Sequence, residues 1–412
     1  MPQPLPHGSA QARRDPPEYP LPRAAGCPMD PPPGFAALQA EAPLVPVRHW
    51  DASTPWLVTR YDEQRALLVD RRVSADITRP GYPHRTPAVR TRASRVHTFL
   101  NMDEPEHTRL RRMVNAPFTA RRVESMRPAI QRVVDDAIGD LLARPKPADL
   151  VEDLALPVPS MVICQLLGVP VADQDFFQRC SRTLANGNTA DEIHQRTQRE
   201  FLSYLDELID EKLAVPDDGV LSQLVTERLR TGELSRRDTA IMGMLLLAAG
   251  HQTTTNMIAL ATVTLLRHPD QLEALRASDD PDYVAAAVEE LFRYVTIVEG
   301  RHRVALEDIE IGGRVIHAGD GLIMPADLAD RDPSVFVNPD QLDLGRESRR
   351  HLALGFGPHQ CLGQHLARTE LQVVFGTLFR RIPTLALATD IADLTFTSAG
   401  GLRGVTELPV TW

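Results

Sequence analysis

Near its C-terminus the chain carries the stretch Leu354-Gly355-Phe356-Gly357-Pro358-His359-Gln360-Cys361-Leu362-Gly363. Glycines bracket one cysteine, and a strongly helical segment, Gln364 to Arg381, follows. Glycine accepts positive φ and has no side chain to clash, so such a loop can approach a flat group closely. The helix behind it aims N–H groups and its positive dipole end at the sulfur, which favours the thiolate. A thiolate held still is what haem iron needs from an axial ligand, and that ligation favours O–O cleavage. Alone, Cys361 reads as a buried small hydrophobe, the usual state of a free cysteine. The spacing of its neighbours is what favours the ligand.

Two further patterns carry polar groups in apolar settings. In Glu290-Leu291-Phe292-Arg293, residues i and i+3 share a helix face and can pair. Taken alone this is a surface salt bridge of little worth. The second is Ala249-Gly250-His251-Gln252-Thr253, inside the long apolar stretch Ile241 to Leu266. The polar block at 251–256 would be costly in lipid, so a helix buried in protein is expected rather than a membrane span. A Thr hydroxyl there can bond back to a helix carbonyl and open the ladder locally.

The three patterns together resemble those of cytochrome P450 monooxygenases. The cysteine loop matches the family pattern Phe-Gly-x-Gly-x-His-x-Cys-x-Gly at every fixed position except the first, where Leu354 stands for Phe. The resemblance implies haem b (iron protoporphyrin IX) with Cys361 as metal ligand and Gly250, Phe356, His359 and Gly363 near the cofactor. It implies that His107, Arg111, Arg303 and His359 contact the haem propionates. It makes Glu290 and Arg293 a buried structural ion pair, with Arg346 as a third partner. Gln252 and Thr253 take the catalytic positions of the oxygen-binding stretch. There the chain departs from the family: Gln252 occupies the acidic position, and an amide can hydrogen-bond but cannot carry a proton at neutral pH.

The elements that must position these residues follow from pattern. Residues 1–34 are Pro-rich and polar and are expected as an extended arm, with 35–412 as a single domain. Trp56 to Thr59 reads as a strand and Asp62 to Val69 as a helix. Residues 71–99 are irregular and rich in Arg. From Glu104 to Tyr294 the pattern is helical, broken at Pro and Gly. Asp308 to Ile316 alternates around Gly312-Gly313, a hairpin signal. Residues 325–350 form an irregular meander, and the last thirty residues read as short strands and turns. The fold class is mainly α with a minor β part, and the resemblance implies the cytochrome P450 fold.

Bulk numbers exclude other classes. The 412 residues are 43% hydrophobic, enough for a substantial core. A net charge of −10 argues against nucleic acid. Only Lys146 and Lys212 are lysines, an arginine bias that suggests a GC-rich, actinobacterial coding sequence. Cys27, Cys164, Cys180 and Cys361 form no CxxC pair, so zinc and dithiol readings fail. Scattered cysteines and the lack of an apolar signal segment point to the cytoplasm.

The functional expectation is a monooxygenase that inserts one atom of O2 into a small hydrophobic organic molecule, a natural product or xenobiotic. The resemblance implies electrons from NAD(P)H through ferredoxin reductase and ferredoxin, no membrane, and a monomer. It places substrate contacts at residues 73–96, 175–200, near Thr253, 295–300 and Ala399–Leu402. Arg79, His84, Arg85, Arg90, Arg92 and Arg95 in the first of these would attract an acidic substrate, or form a hydrated loop. Arg349, Arg350 and Arg368 are expected on a basic docking surface. The rival outcomes are epoxidation, desaturation or rearrangement by the same catalyst, and, from another class, a non-catalytic helper protein, which Cys361 argues against.

Overall fold

The computed structural model describes residues 15–24, 29–92, 97–186, 189–398 and 401–412. Cys27, Arg95 and the Ala399–Gly400 part of the C-terminal turn lie outside them. Five helices carry the site: α1 (Glu106–Val114), α2 (Pro157–Leu167), α3 (Arg236–Leu266), α4 (Pro281–Tyr294) and α5 (Gln364–Arg381). Among the described residues no helix is long and apolar enough to cross a membrane.

α3 begins at Ser235, whose hydroxyl accepts from the Asp238 N–H at 3.0 Å, satisfying one orphan donor of the first turn. It is apolar nearly all round and buried along most of its length, as a helix through the middle of a protein must be. It packs against α2, and α5 packs against α4 and the helix Ala120–Ala143. The expected buried helix over 241–266 is thus found, longer by five residues at its start.

A five-stranded sheet flanks the helices. Its strands are β1 (Leu44–Pro46), β2 (Trp56–Val58), β3 (Val73–Ser74), β4 (Arg301–Ala305) and β5 (Gly321–Met324), in spatial order β1–β2–β5–β4–β3. β2 and β5 run parallel, with Trp56 opposite Leu322; the other pairs are antiparallel. The expected hairpin pairs Ile309–Ile311 with Arg314–Ile316. Both of its turn glycines have positive φ, 55° and 71°, the requirement of the tight turn that matches strand twist.

The described part of the N-terminal arm lies against the domain. Glu18 bridges to Arg48, Tyr19 is buried, and Arg23 pairs with Asp327 at 2.8 Å. One buried aromatic and one ion pair hold residues 18–23 against the domain.

Candidate active site

Cys361 lies just before α5, with its N–H donating to the Leu354 carbonyl at 2.8 Å. Gly355 and Gly357 adopt φ of 78° and 73°. A Cβ on Gly357 would stand 2.6 Å from the Leu68 carbonyl oxygen, so both conformation and space demand glycine there. Gly363 needs neither: its φ is −80°, and a Cβ would meet nothing within 4 Å. Its N–H instead hydrogen-bonds Cys361. Burial pushes the Cys361 thiol up; the Gly363 N–H, Arg111, Arg368 and Arg301 oppose this without overcoming it. Desolvation is thus the largest influence on the sulfur, and the surrounding N–H and guanidinium groups act against it. A bound metal cation would deprotonate it outright. Cys164 and Cys180 are buried, with thiols pushed up to about 12 and about 11 by desolvation, as inert core cysteines are.

Beside the sulfur stands a basic cluster. His107 and Arg111 lie one turn apart on α1, and the His107 ring sits 4.1 Å from that of His359. Both ring nitrogens of His107 and Nδ1 of His359 are buried without a partner. Arg111 donates to the Gln360 carbonyl at 2.5 Å. Strand alternation puts Arg301 and Arg303 of β4 on one face. Arg301 donates to the Leu352 and Ala353 carbonyls, but its Nη1 is buried and unpaired. Arg303 donates to the His302 carbonyl. Burial, then Arg303, His107 and Arg111, pushes His359 down to about 3; burial, then Arg111, lowers His107.

Among the described residues no carboxylate hydrogen-bonds any of these five groups. Buried cationic and donor groups need anionic partners, and the two propionates of a haem meet that need beside Cys361. The residues present therefore fit the cofactor. Arg301 was missed from sequence; the period-2 spacing from Arg303 was the signal that could have found it. Phe356 is covered by the Arg65 guanidinium, 4.5 Å above its ring.

The other wall is α3. Leu245, Ala248, Ala249, Gln252 and Thr253 keep accessible surface while most of their neighbours on the same helix are buried. Their i, i+3, i+4, i+7 and i+8 spacing is one helix face. The Thr253 hydroxyl donates to the Ala249 carbonyl at 2.9 Å. Gln252 donates to Asn256 Oδ1 at 3.2 Å, and its own Oε1 is buried without a partner. His251 points away, with Nδ1 on the Leu247 carbonyl at 2.8 Å and its ring edge-on to Phe177. A Cβ on Gly250 would stand 2.7 Å from the Ile163 side chain of α2. Close packing of α2 on α3 thus gives its own reason for a glycine there.

Glu290 and Arg293 of α4 have no exposed side-chain surface and pair twice, at 2.7 and 2.8 Å. Arg293 also donates to the carbonyls of Asp330 and Pro339 in the meander. Glu290 accepts from Ser348, from the Asp343 N–H and from Arg346 at 3.2 Å. Next to it Glu289 accepts from His351 at 3.0 Å and Arg368 at 2.6 Å. Burial alone would raise Glu289; these hydrogen bonds hold it down at about 2. Arg368 is thus committed to an ion pair and does not serve as a free docking charge, whereas Arg349 and Arg350 are exposed.

Four of the five regions assigned to substrate contact converge, the neighbourhood of Thr253 being the exception. Arg85, Asn186, Glu299 and Gly401, one from each of four separate segments, line a single cavity of about 520 Å³ together with Tyr19 and Arg23 of the arm. Of the arginines at 79–92, Arg85 is the one that lines it; Arg90 faces Asp51 and Arg92 faces Asp191.

Comparison with known proteins agrees with this geometry. The family model described as Cytochrome P450 matches residues 58–386. The chain is 51% identical over 401 residues to cytochrome P450 GfsF of Streptomyces halstedii, covering 97% of each. It is 46% identical to the pentalenic acid synthase of Streptomyces avermitilis, covering 95% of this chain and 97% of that one. The crystal structure of GfsF superposes with a TM-score of 0.91 over 96% of this chain and all of the other. That of the mycinamicin VIII C21 methyl hydroxylase MycCI from Micromonospora griseorubida, bound to mycinamicin VIII, gives 0.90 at 42% identity, over 96% of this chain and all of the other. A thiolate candidate on a glycine loop, an anion-seeking basic cluster facing it and near-complete likeness in sequence and fold make this chain a member of the cytochrome P450 family, a haem-dependent monooxygenase.

Proposed function

We propose that the enzyme hydroxylates a small, largely apolar natural product or xenobiotic, using haem b and electrons passed from NAD(P)H by ferredoxin reductase and ferredoxin. Residues 35–412 act as one catalytic domain. The carrying observation is the set of unpaired His107, Arg301 and His359 groups gathered near Cys361, in a chain that also keeps an accessible Ala249–Thr253 face on α3. The mycinamicin VIII C21 methyl hydroxylase, at 43% identity, supports the substrate class.

The haem, when bound, supplies the activation of O2. The chain supplies everything around it. Cys361 ligates through Sγ, and the Gly363 N–H lowers the charge on that sulfur. His107, Arg111, Arg301, Arg303 and His359 bind and orient the propionates by charge and hydrogen bonding. Thr253 holds its proton on the Ala249 carbonyl and can turn that O–H toward a group above the α3 face. Gln252 orients Asn256 but cannot release a proton, so protons must reach Thr253 by another route, through water or a substrate hydroxyl. This same deficit favours a second reading, in which the product arises by epoxidation, desaturation or rearrangement.

Purified, haem-loaded protein tests the proposal. Its reduced carbon monoxide complex should show the red-shifted band of thiolate ligation, and Cys361→Ser should abolish that band together with turnover. Product made under ¹⁸O2 should carry one labelled atom. A wild-type protein without the shifted band, or product without label, would refute the hydroxylase reading.

A further inference from the structure

The cavity beside the N-terminal arm is built around charge. Arg85, Arg23 and Arg403 all act on the Glu299 carboxyl, and Asp327 stands near it. Three guanidiniums therefore stand among three carboxylates, since Asp30 also acts on Arg403. Arg23 is committed to Asp327 at 2.8 Å, and Arg403 donates to the Thr296 and Met29 carbonyls. Arg85 is different. It donates to the Gly300 carbonyl and lies against Gly401, where an added Cβ would collide with its guanidinium, but no carboxylate lies within salt-bridge distance among the described residues. Glu299 is fixed through its backbone, its N–H on the Gly401 carbonyl at 3.0 Å and its carbonyl accepting from Tyr19 at 3.4 Å. Burial pushes its carboxyl up in spite of the three arginines. The remaining titratable groups of the wall are held neutral by burial: the Tyr19 hydroxyl is raised, and the His49 and His302 imidazoles are lowered. Leu21, Phe35 and Val89 add apolar surface.

A partly open space with apolar walls and a guanidinium that no carboxylate holds within salt-bridge distance suits an amphipathic anion. One wall of the space belongs to a strand pair that packs against the catalytic helix. Thr397 and Ser398 line it, and the strand Phe396–Thr397 pairs with Gly404–Val405. Gly404 packs against Asn256 of α3, the partner of Gln252.

We propose that this cavity holds the carboxylate of the substrate, with Arg85 as its partner, so that the enzyme acts on amphipathic carboxylic acids. This rests on the reading of the chain as an oxidase of small organic molecules. Arg85 is a specificity-determining residue in this scheme, and Glu299 opposes it.

Dodecanoic acid, methyl dodecanoate and dodecylamine share a chain and differ in head group. Their binding to the haem-loaded protein can be read by calorimetry, and their oxidation by product analysis. The acid should bind about tenfold or more tighter than the ester, the scale of one charge-assisted hydrogen bond. Arg85→Gln should erase that gap while leaving ester affinity unchanged, and Arg85→Lys should keep most of it. Glu299→Gln should tighten the acid, which keeps the test open if Arg85→Gln fails to fold. The proposal is overturned if acid and ester bind wild type equally, if the amine binds best, if the gap survives Arg85→Gln, or if no acid binds. Tight acid binding without oxidised product would count against the oxidase reading and leave the carboxylate site standing.

Discussion

Two charged clusters flank Cys361, and they are built on opposite terms. In the cluster of Glu289, Glu290, Arg293, Arg346, His351 and Arg368, every base pairs with one of two acids, and Glu290 alone accepts from four different residues. In the cluster of His107, Arg111, Arg301, Arg303 and His359 there is no acid, and four ring or guanidinium nitrogens are buried without partners. Both are buried, so burial does not distinguish structure from function here. Satisfaction does. A saturated network fixes the meander behind the cysteine loop; an unsaturated one is complementary to a ligand's charge.

The largest test of this contrast is Arg293→Ala. It strands Glu290 in the interior and should cost about 3–5 kcal/mol of stability, read by denaturant unfolding, with haem lost in parallel. Next comes the acid limb. The folded-state value of Glu289, about 2, lies below its ordinary 4.5. Its contribution is therefore complete above about pH 4.5 and disappears as pH falls through about 2. Glu289→Gln should flatten the stability profile over that window, by ~2–3 kcal/mol at most. A profile unchanged by the substitution would mean that the saturated cluster is not a stabilising one.

Arg303→Gln should behave in the opposite way to Arg293→Ala. Removing one cation from an unbalanced cluster should leave the haem-free chain as stable or more stable, while haem dissociates several-fold faster. Loss of stability in the haem-free chain would erase the distinction between the clusters. The smallest effect is expected at Gln252→Glu, which places an acid on the accessible face of α3. It should raise the fraction of electrons recovered in product by a few-fold; an unchanged ratio would show that protons already reach Thr253 by an efficient route.

Much of this was legible one residue at a time. Positive φ at Gly355 and Gly357, the helix start after Cys361, the Gly312-Gly313 turn and the buried 241–266 helix are local consequences of residue type and period. So was the pairing of Glu290 with Arg293, which needs only a helix. The packing reason for Gly250 was not legible, because it is a partner, Ile163, some ninety positions away in the chain. Arg368 was misplaced on a docking surface for the same reason: Glu289, its ion-pair partner, belongs to another helix.

By itself the sequence determined the cysteine on its glycine loop, most of the basic residues that gather near it and the amide at Gln252 where the family pattern has an acid. Those depend on side-chain chemistry and on spacings within single elements. Only the tertiary structure decided which charges are cancelled and which are left over. Burial, and the meeting of segments as distant as Arg85, Glu299 and Gly401, set the desolvation cost of each charge and the partner that offsets it. No local pattern encodes that sum.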